Sequence, residues 1–174
     1  MPRERGESGP GLARHLLAIV GLPGLVLVVV PAWLLAGEEV DLDLDVLSVA
    51  GGVLLAAGLG VWTVSVVLFA RIGRGTLAPW DPTQRLVVAG PYHHVRNPMI
   101  TGVLAMLAGE AALFGSLRIL VWTGVFFVLN AVWFRLVEEP GMRARFGEEY
   151  EEYARRTPRW IPSPRRGRRP PERS

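Results

Sequence analysis

Residues 46–70, VLSVAGGVLLAAGLGVWTVSVVLFA, run for 25 positions without a charged side chain. The only hydroxyl side chains among them belong to Ser48, Thr63 and Ser65. A helix on the surface of a soluble domain carries polar residues at every third or fourth position, and this stretch does not. Because about 20 apolar residues suffice to cross the hydrocarbon core of a bilayer, the stretch predicts a membrane-spanning helix.

Three further apolar segments approach or exceed that length: residues 16–36, 99–117 and 119–134. Little more than Gly115 and Ser116 joins the last two, which predicts an antiparallel helical hairpin. We therefore expect an all-α membrane protein with about four transmembrane helices, the last two forming the hairpin.

Acidic and basic residues occupy different connecting segments. The loop before residue 46 is acidic, whereas arginines precede the first span, occupy residues 71–97 and gather after Arg135. Because basic residues favour the cytoplasmic side, we expect cytoplasmic termini in a bacterial-type inner or plasma membrane. The expected order is a cytoplasmic N-terminus (1–15), a transmembrane domain (16–137) with a cytoplasmic loop (71–97), a cytoplasmic C-terminal segment (138–162) and a disordered basic tail (163–174).

Two patterns predict how the helices pack. Pro23 and Pro31 predict a kink in the first span. In the second span the small residues recur every four positions and predict a stripe for close helix contact. The stripe consists of Ser48, Gly52, Ala56 and Gly60.

Cysteine is absent, which excludes disulfides, thiolate metal sites and cysteine nucleophiles. We also expect neither a bound metal nor a nucleic-acid partner.

The boundary motif, residues 90–102 with the sequence GPYHHVRNPMITG, precedes the third span. Asn97 suits a helix N-cap and Pro98 the first helical position. The motif therefore aims a helix N-terminus at the membrane interface beside Arg96, His93 and His94, which favours anion binding. The alternative interpretation is that the motif only marks the start of a helix and that its arginine follows the preference of basic residues for the cytoplasmic interface.

Glu138 and Glu139 end the fourth span, and Pro140 follows them. From the hairpin turn, Asn97 lies about 20 residues back and Glu138 about 22 forward, so at ~1.5 Å per residue their depths differ by about 3 Å. We expect the boundary motif and the glutamate pair to meet at one face, although adjacent glutamates are often only a solvated helix end. Together they suit a ligand that carries a carboxylate and a cationic or hydroxylated part.

These motifs in order, GPYHHVRNPM, a hydrophobic hairpin and EEPGMRARFGEEYEEYARRTPRWIP, resemble a family of small integral membrane methyltransferases. That family includes isoprenylcysteine carboxyl methyltransferases and phospholipid N-methyltransferases, and the resemblance covers residues 75–162. It implies S-adenosylmethionine as methyl donor. The positions that it implies for cofactor binding are Tyr92, His93, Arg96, Asn97, Pro98, Gly102, Glu138 and Glu139.

Candidates for the base that an amine or thiol acceptor needs are His93, His94 and Glu139. Arg135 or Arg96 could orient an anionic acceptor. Many family members carry histidine where this chain has Asn97, which caps a helix but cannot take up a proton near neutral pH. The expected acceptor is a lipophilic small molecule, lipid or lipidated peptide: an isoprenylcysteine-like carboxylate, a phospholipid amine or another hydrophobic compound. The alternatives are a four-helix transporter that uses Glu110 and a noncatalytic membrane scaffold.

Beyond Pro140, the residues Phe146, Tyr150 and Tyr153 recur at helical spacing and predict an interfacial amphipathic helix with one aromatic face. Two pairs, Glu151 with Arg155 and Glu152 with Arg156, have the spacing of i,i+4 ion pairs. Trp160 and Ile161 either fold back over the cofactor or anchor the tail.

Overall fold

The computed structural model describes residues 21–38, 44–72 and 85–162, and all regular structure in these ranges is helical. The helices are α1 (Leu22–Leu35), α2 (Val46–Ile72), α3 (Pro98–Leu113), α4 (Leu117–Trp133) and α5 (Glu139–Arg156). A 3-10 turn, Gly90–His93, precedes α3, and a π-helical turn, Phe134–Glu138, joins α4 to α5. The all-α prediction is confirmed for these residues. The expected N-terminal segment, residues 73–84 of the expected 71–97 loop and the basic tail lie outside them.

Two helices are long and apolar enough to cross a bilayer: α2, with a mean hydropathy of 2.3, and the continuous helix Leu117–Arg156, with 1.8 over its apolar window. Only 11% of each apolar window is buried inside the protein, so these helices are unlike the core helix of a soluble domain. Their outward apolar side chains suit a lipid environment. Helices α1 and α3 are apolar but shorter, and four crossings stay a prediction.

The predicted hairpin is confirmed. Helix α3 ends at Leu113, Gly115 turns the chain with a φ of 59°, and Ser116 caps α4 by accepting a hydrogen bond from the Ile119 N–H. At the same end, Glu38 accepts hydrogen bonds from the Ser116 hydroxyl (2.8 Å) and pairs with Arg118 (3.0 Å). Glu38, three residues after the end of α1, thus ties this helix to the hairpin turn.

Helices α2 and α3 pack antiparallel with their backbones in contact. A Cβ atom on Gly58 would lie 2.7 Å from the Gly102 carbonyl oxygen, and one on Gly109 would lie 2.7 Å from the Gly51 carbonyl oxygen. Each contact pairs a glycine of one helix with a glycine of the other. Such paired small residues are the means by which membrane helices approach closely.

The predicted stripe was wrong in its register. Nothing lies within 4 Å of a Cβ on Gly52 or Gly60. Of the predicted stripe only Ser48 is buried, and the other buried residues of α2 are Gly51, Gly58 and Ser65. A four-residue repeat drifts around a helix of 3.6 residues per turn, whereas alternating steps of three and four residues keep to one face.

Helix α1 departs from α-helical geometry between its two prolines, as the kink prediction implied. Residues Leu25–Val29 are π-helical, and the Val30 N–H donates to the Leu25 carbonyl. The next bond of that pattern would run from residue 31 to Val26, but Pro31 has no N–H. The Trp122 indole N–H of α4 donates to the Val26 carbonyl instead (3.3 Å), which joins α1 to the hairpin.

Replacing Gly58 with alanine should destabilise the fold by about 1–3 kcal/mol, because the added methyl meets the backbone of α3. Thermal unfolding of the detergent-solubilised protein measures the loss. The matched control is Gly60→Ala, where space is open, and its effect should stay within about 0.5 kcal/mol. Equal losses in the two variants would contradict the glycine contact.

Candidate functional site

The boundary motif and the glutamate pair meet, as predicted. The Arg96 guanidinium Nη1 lies 3.0 Å from Glu139 Oε1, although 43 residues separate the two in sequence. Asn97 caps α3 by accepting from the Ile100 N–H (3.3 Å), and Pro98 occupies the first turn, so both cap predictions are confirmed. The cap fixes where the helix begins and therefore where Arg96 leaves the backbone.

Glu139 lies at the centre of an ionic cluster with Arg96 and Arg159. Its side chain is only 1% exposed. Arg159 donates to both carboxylate oxygens, from Nε to Oε1 (2.5 Å) and from Nη2 to Oε2 (3.0 Å). A fourth residue, Arg143, lies 3.9 Å from Oε2. A buried carboxylate needs such partners, since an unpaired charge is costly to remove from water.

These contacts determine the charge state of the cluster. Burial raises the pKa of Glu139, but the hydrogen bond from Arg159 and the charges of Arg96, Arg159 and Arg143 outweigh it and hold the pKa below its usual range. The same hydrogen bond raises the pKa of Arg159. Glu139 is therefore ionised at neutral pH, and the cluster is a salt bridge of one anion with two close cations.

A strap, defined here as residues 148–160, closes over the boundary motif. The Arg96 backbone N–H donates to the Pro158 carbonyl (2.8 Å), and the Tyr153 hydroxyl donates to the Tyr92 carbonyl (2.7 Å). Arg96 also reaches the Tyr150 hydroxyl at 3.4 Å. Burial raises the pKa of both strap tyrosines, so both phenols stay protonated and able to donate.

Gly147 lies directly before the strap and interrupts α5. Its φ of 51° and ψ of −126° are non-helical, and glycine tolerates such a backbone because it has no Cβ. The prediction that Phe146 shares one helical face with Tyr150 and Tyr153 was wrong, because the interruption rotates the chain between them. Across the kink, Arg143 donates to Glu151 at 2.8 Å.

Two other predictions about this segment have clear outcomes. The i,i+4 pair of Glu152 with Arg156 is confirmed. Trp160 folds back onto the end of α4, with its ring 5.5 Å from that of Phe127 and 5.7 Å from that of Phe134. Trp160 follows Arg159 directly, and it packs against the end of α4, shortly before Glu139. The strap is therefore held both by the ionic cluster and by this aromatic contact.

The remaining candidates occupy other positions. The side chains of His93, His94, Arg135 and Glu138 are exposed at the same end of the molecule, outside the ionic cluster. Gly102 faces the Gly58 carbonyl and Trp62 of α2, so its lack of a side chain serves helix packing.

Glu110 lies on α3 away from this end, and its Oε2 atom is buried without a hydrogen-bond partner among the described residues. The nearby Arg118 pairs with Glu38. The Asn130 amide of α4 donates to the Phe126 carbonyl of its own helix (2.8 Å).

Sequence reasoning assigned no individual role to Arg159 or to the two strap tyrosines. A signal was present, since a glutamate at a buried helix junction requires more than one cationic partner. The arginine in the PRWIP stretch is followed directly by two large apolar residues. That pattern suits a return of the chain to the protein surface.

Glu139→Gln tests the ionic cluster through the pH dependence of stability. A carboxylate with a lowered pKa adds stability that is present above its unfolded pKa and is lost as the pH falls through its folded pKa. The wild type should unfold at a higher temperature than Glu139→Gln at neutral pH. The difference should begin to shrink below the ordinary glutamate pKa of 4.5 and disappear once the pH is below the lowered pKa of Glu139 in the folded protein. A difference that does not change with pH would show that the charge of Glu139 is not what stabilises the cluster.

The comparisons with known proteins agree with this geometry. No curated protein and no solved structure gives a significant match. The family described as phospholipid methyltransferase matches residues 47–149, a range that begins in α2, includes the hairpin and the boundary motif, and ends in α5. Because this range is more than half of the 174 residues, the chain belongs to the phospholipid methyltransferase family of membrane methyltransferases.

Proposed function

We propose that the protein transfers a methyl group from S-adenosylmethionine to a lipophilic acceptor at the cytoplasmic face of the membrane. The observation that carries this proposal is the contact of Arg96 with Glu139, which joins the boundary motif to the residues after α4 inside the family-matched region. Charged groups of both signs thereby gather beside an apolar helical hairpin. A polar methyl donor and a lipophilic acceptor can meet only where a charged surface adjoins an apolar one.

The residues of this end fit the donor. S-adenosylmethionine carries a carboxylate, an ammonium group and ribose hydroxyls, which call for cationic donors and anionic acceptors. Arg96 is 10% exposed, and its buried Nε has no hydrogen-bond partner within the described ranges. Glu138, which directly precedes Glu139 in the sequence, is exposed. Arg96 would hold the donor carboxylate, and Glu138 the ammonium or the hydroxyls.

The bound donor would supply an activated methyl group on a sulfonium. The chain has then to align the two reactants and exclude water. The strap covers one side of the boundary motif through Tyr153 and Pro158, and so limits the access of water to it. Asn97 contributes by fixing the start of α3 rather than by proton transfer, because an amide does not titrate.

An amine acceptor would have to lose a proton, and the candidates for accepting it differ in their suitability. Glu139 is a poor base, because its pKa is lowered and both of its oxygens accept hydrogen bonds from Arg159. We assign it the role of orienting Arg96. His94 and His93 are exposed at this end and are the better candidates for the base.

We favour a phospholipid amine as the acceptor, because the matching family is described as phospholipid methyltransferase. Arg135 is exposed on the π-helical turn beside Leu136 and Val137, two exposed apolar side chains. A guanidinium at that boundary could bind the phosphate of a lipid whose chains lie along α4. An isoprenylcysteine-like carboxylate is the second candidate, since a carboxylate would bind the same guanidinium and need no base.

Neither the transporter nor the scaffold alternative gains support from the family match. Glu110 is a half-buried acid whose Oε2 atom has no hydrogen-bond partner among the described residues, but that single feature identifies no transported ion.

The proposal is tested with S-adenosylhomocysteine, the product of the donor, and the detergent-solubilised protein. The compound should raise the unfolding temperature of the wild type. Glu138→Gln should weaken its binding by about 1–3 kcal/mol, because an exposed carboxylate is lost from the donor site without a change in the fold. Calorimetric titration measures the affinity. The matched control is Glu148→Gln, an exposed glutamate in the strap, which should bind as the wild type does.

Activity follows from transfer of a labelled methyl group into a lipid extract. Label in a phospholipid amine supports the favoured acceptor, and label in an ester that mild base cleaves supports a carboxylate. Binding without any transfer would support the scaffold reading, and absence of binding would disprove the proposal.

A further inference from the structure

Arg159 lies outside the part of the chain that matches the family. The family match ends at residue 149, ten residues before it. Yet Arg159 supplies the shortest contact of the ionic cluster and the only one, within the described residues, in which one side chain donates to both carboxylate oxygens. The cluster is therefore completed by a residue outside the matched range.

Arg96 alone leaves the Glu139 carboxylate free to rotate. Arg96 donates to Oε1 through one nitrogen, at 3.0 Å, which does not fix the plane of the carboxylate. Arg159 fixes that plane with a fork of two parallel bonds, the geometry for which guanidinium and carboxylate are matched. Both arginines converge on Oε1, so the position of that oxygen decides the position of Arg96.

The backbone repeats this coupling. Pro158 directly precedes Arg159 in the sequence, and its carbonyl accepts a hydrogen bond from the Arg96 backbone N–H at 2.8 Å. Arg96 is thus held at its main chain by one strap residue and at its side chain, through Glu139, by the next. Arg159 itself is 39% exposed, whereas Arg96 is 10% exposed, so the two arginines occupy an outer and an inner position.

We propose that Arg159 is a positioning residue for the methyl donor: it orients Glu139 and, through Glu139, the guanidinium of Arg96 that binds the donor's carboxylate. This inference rests on the proposed function. The sequence resemblance implied that both Arg96 and Glu139 bind the cofactor. In this proposal Arg96 binds the donor, whereas Glu139 orients Arg96 and does not itself bind the donor. Its consequence is that donor affinity depends on the strap.

Calorimetric titration with S-adenosylhomocysteine tests the inference in full-length variants. Arg159→Ala should bind at least about tenfold more weakly than the wild type, a factor that corresponds to about 1.4 kcal/mol. Arg159→Lys keeps the charge but not the fork, and should recover only part of the affinity. Ethylguanidinium added at millimolar concentration should restore binding to Arg159→Ala, because it replaces the missing group. The matched control, Arg156→Ala, removes an exposed arginine paired with Glu152 and should bind within about twofold of the wild type.

A second variant distinguishes orientation of Glu139 from mere attachment of the strap. Trp160→Ala removes the contacts of the strap with Phe127 and Phe134 but leaves Arg159 in place. It should lower the unfolding temperature, lose less affinity than Arg159→Ala and gain none from ethylguanidinium. Equal losses in the two variants without rescue, or an Arg159→Ala affinity within about twofold of the wild type, would overturn the positioning role. Failure of the wild type to bind would instead disprove the proposed function itself.

Discussion

The described structure depends on one buried carboxylate that two guanidiniums hold in place. Glu139 stands where the membrane helix α4 gives way to α5, and its 1% exposure removes it from water. A charge in that position persists only because Arg96 and Arg159 compensate for its lost hydration. Since these arginines come from before α3 and after α5, their requirement for a common partner brings both ends of the C-terminal half together.

The helical parts of this arrangement could be predicted from the sequence because their causes are local. The uncharged run of α2 and the turn at Gly115 and Ser116 follow from composition, and the Asn97 cap from a single dipeptide. Equal helix lengths on the two sides of the turn then place Arg96 near Glu139. The glycine stripe failed at this level, because a helix face depends on which neighbour packs against it, and a four-residue repeat suggests the wrong face.

The strap could not be predicted, because its cause is not local. Helical spacing placed Phe146 with the two tyrosines, but a glycine with positive φ between them redirects the chain. The pairing of Arg159 with Glu139 spans 20 residues and follows from the cost of burying a charge, which no periodicity records. Sequence patterns therefore predicted that the boundary motif and the glutamate pair meet, while the contact of Glu139 with Arg159 became visible only in the structure.

The glycine contact between α2 and α3 also closes one side of α3. Where Gly58 meets Gly102 and Gly51 meets Gly109, the two main chains touch and no acyl chain fits between them. In the proposed methyltransferase, a lipophilic acceptor would therefore reach Arg96 along the other sides of α3, where side chains of α1 and α4 pack against it.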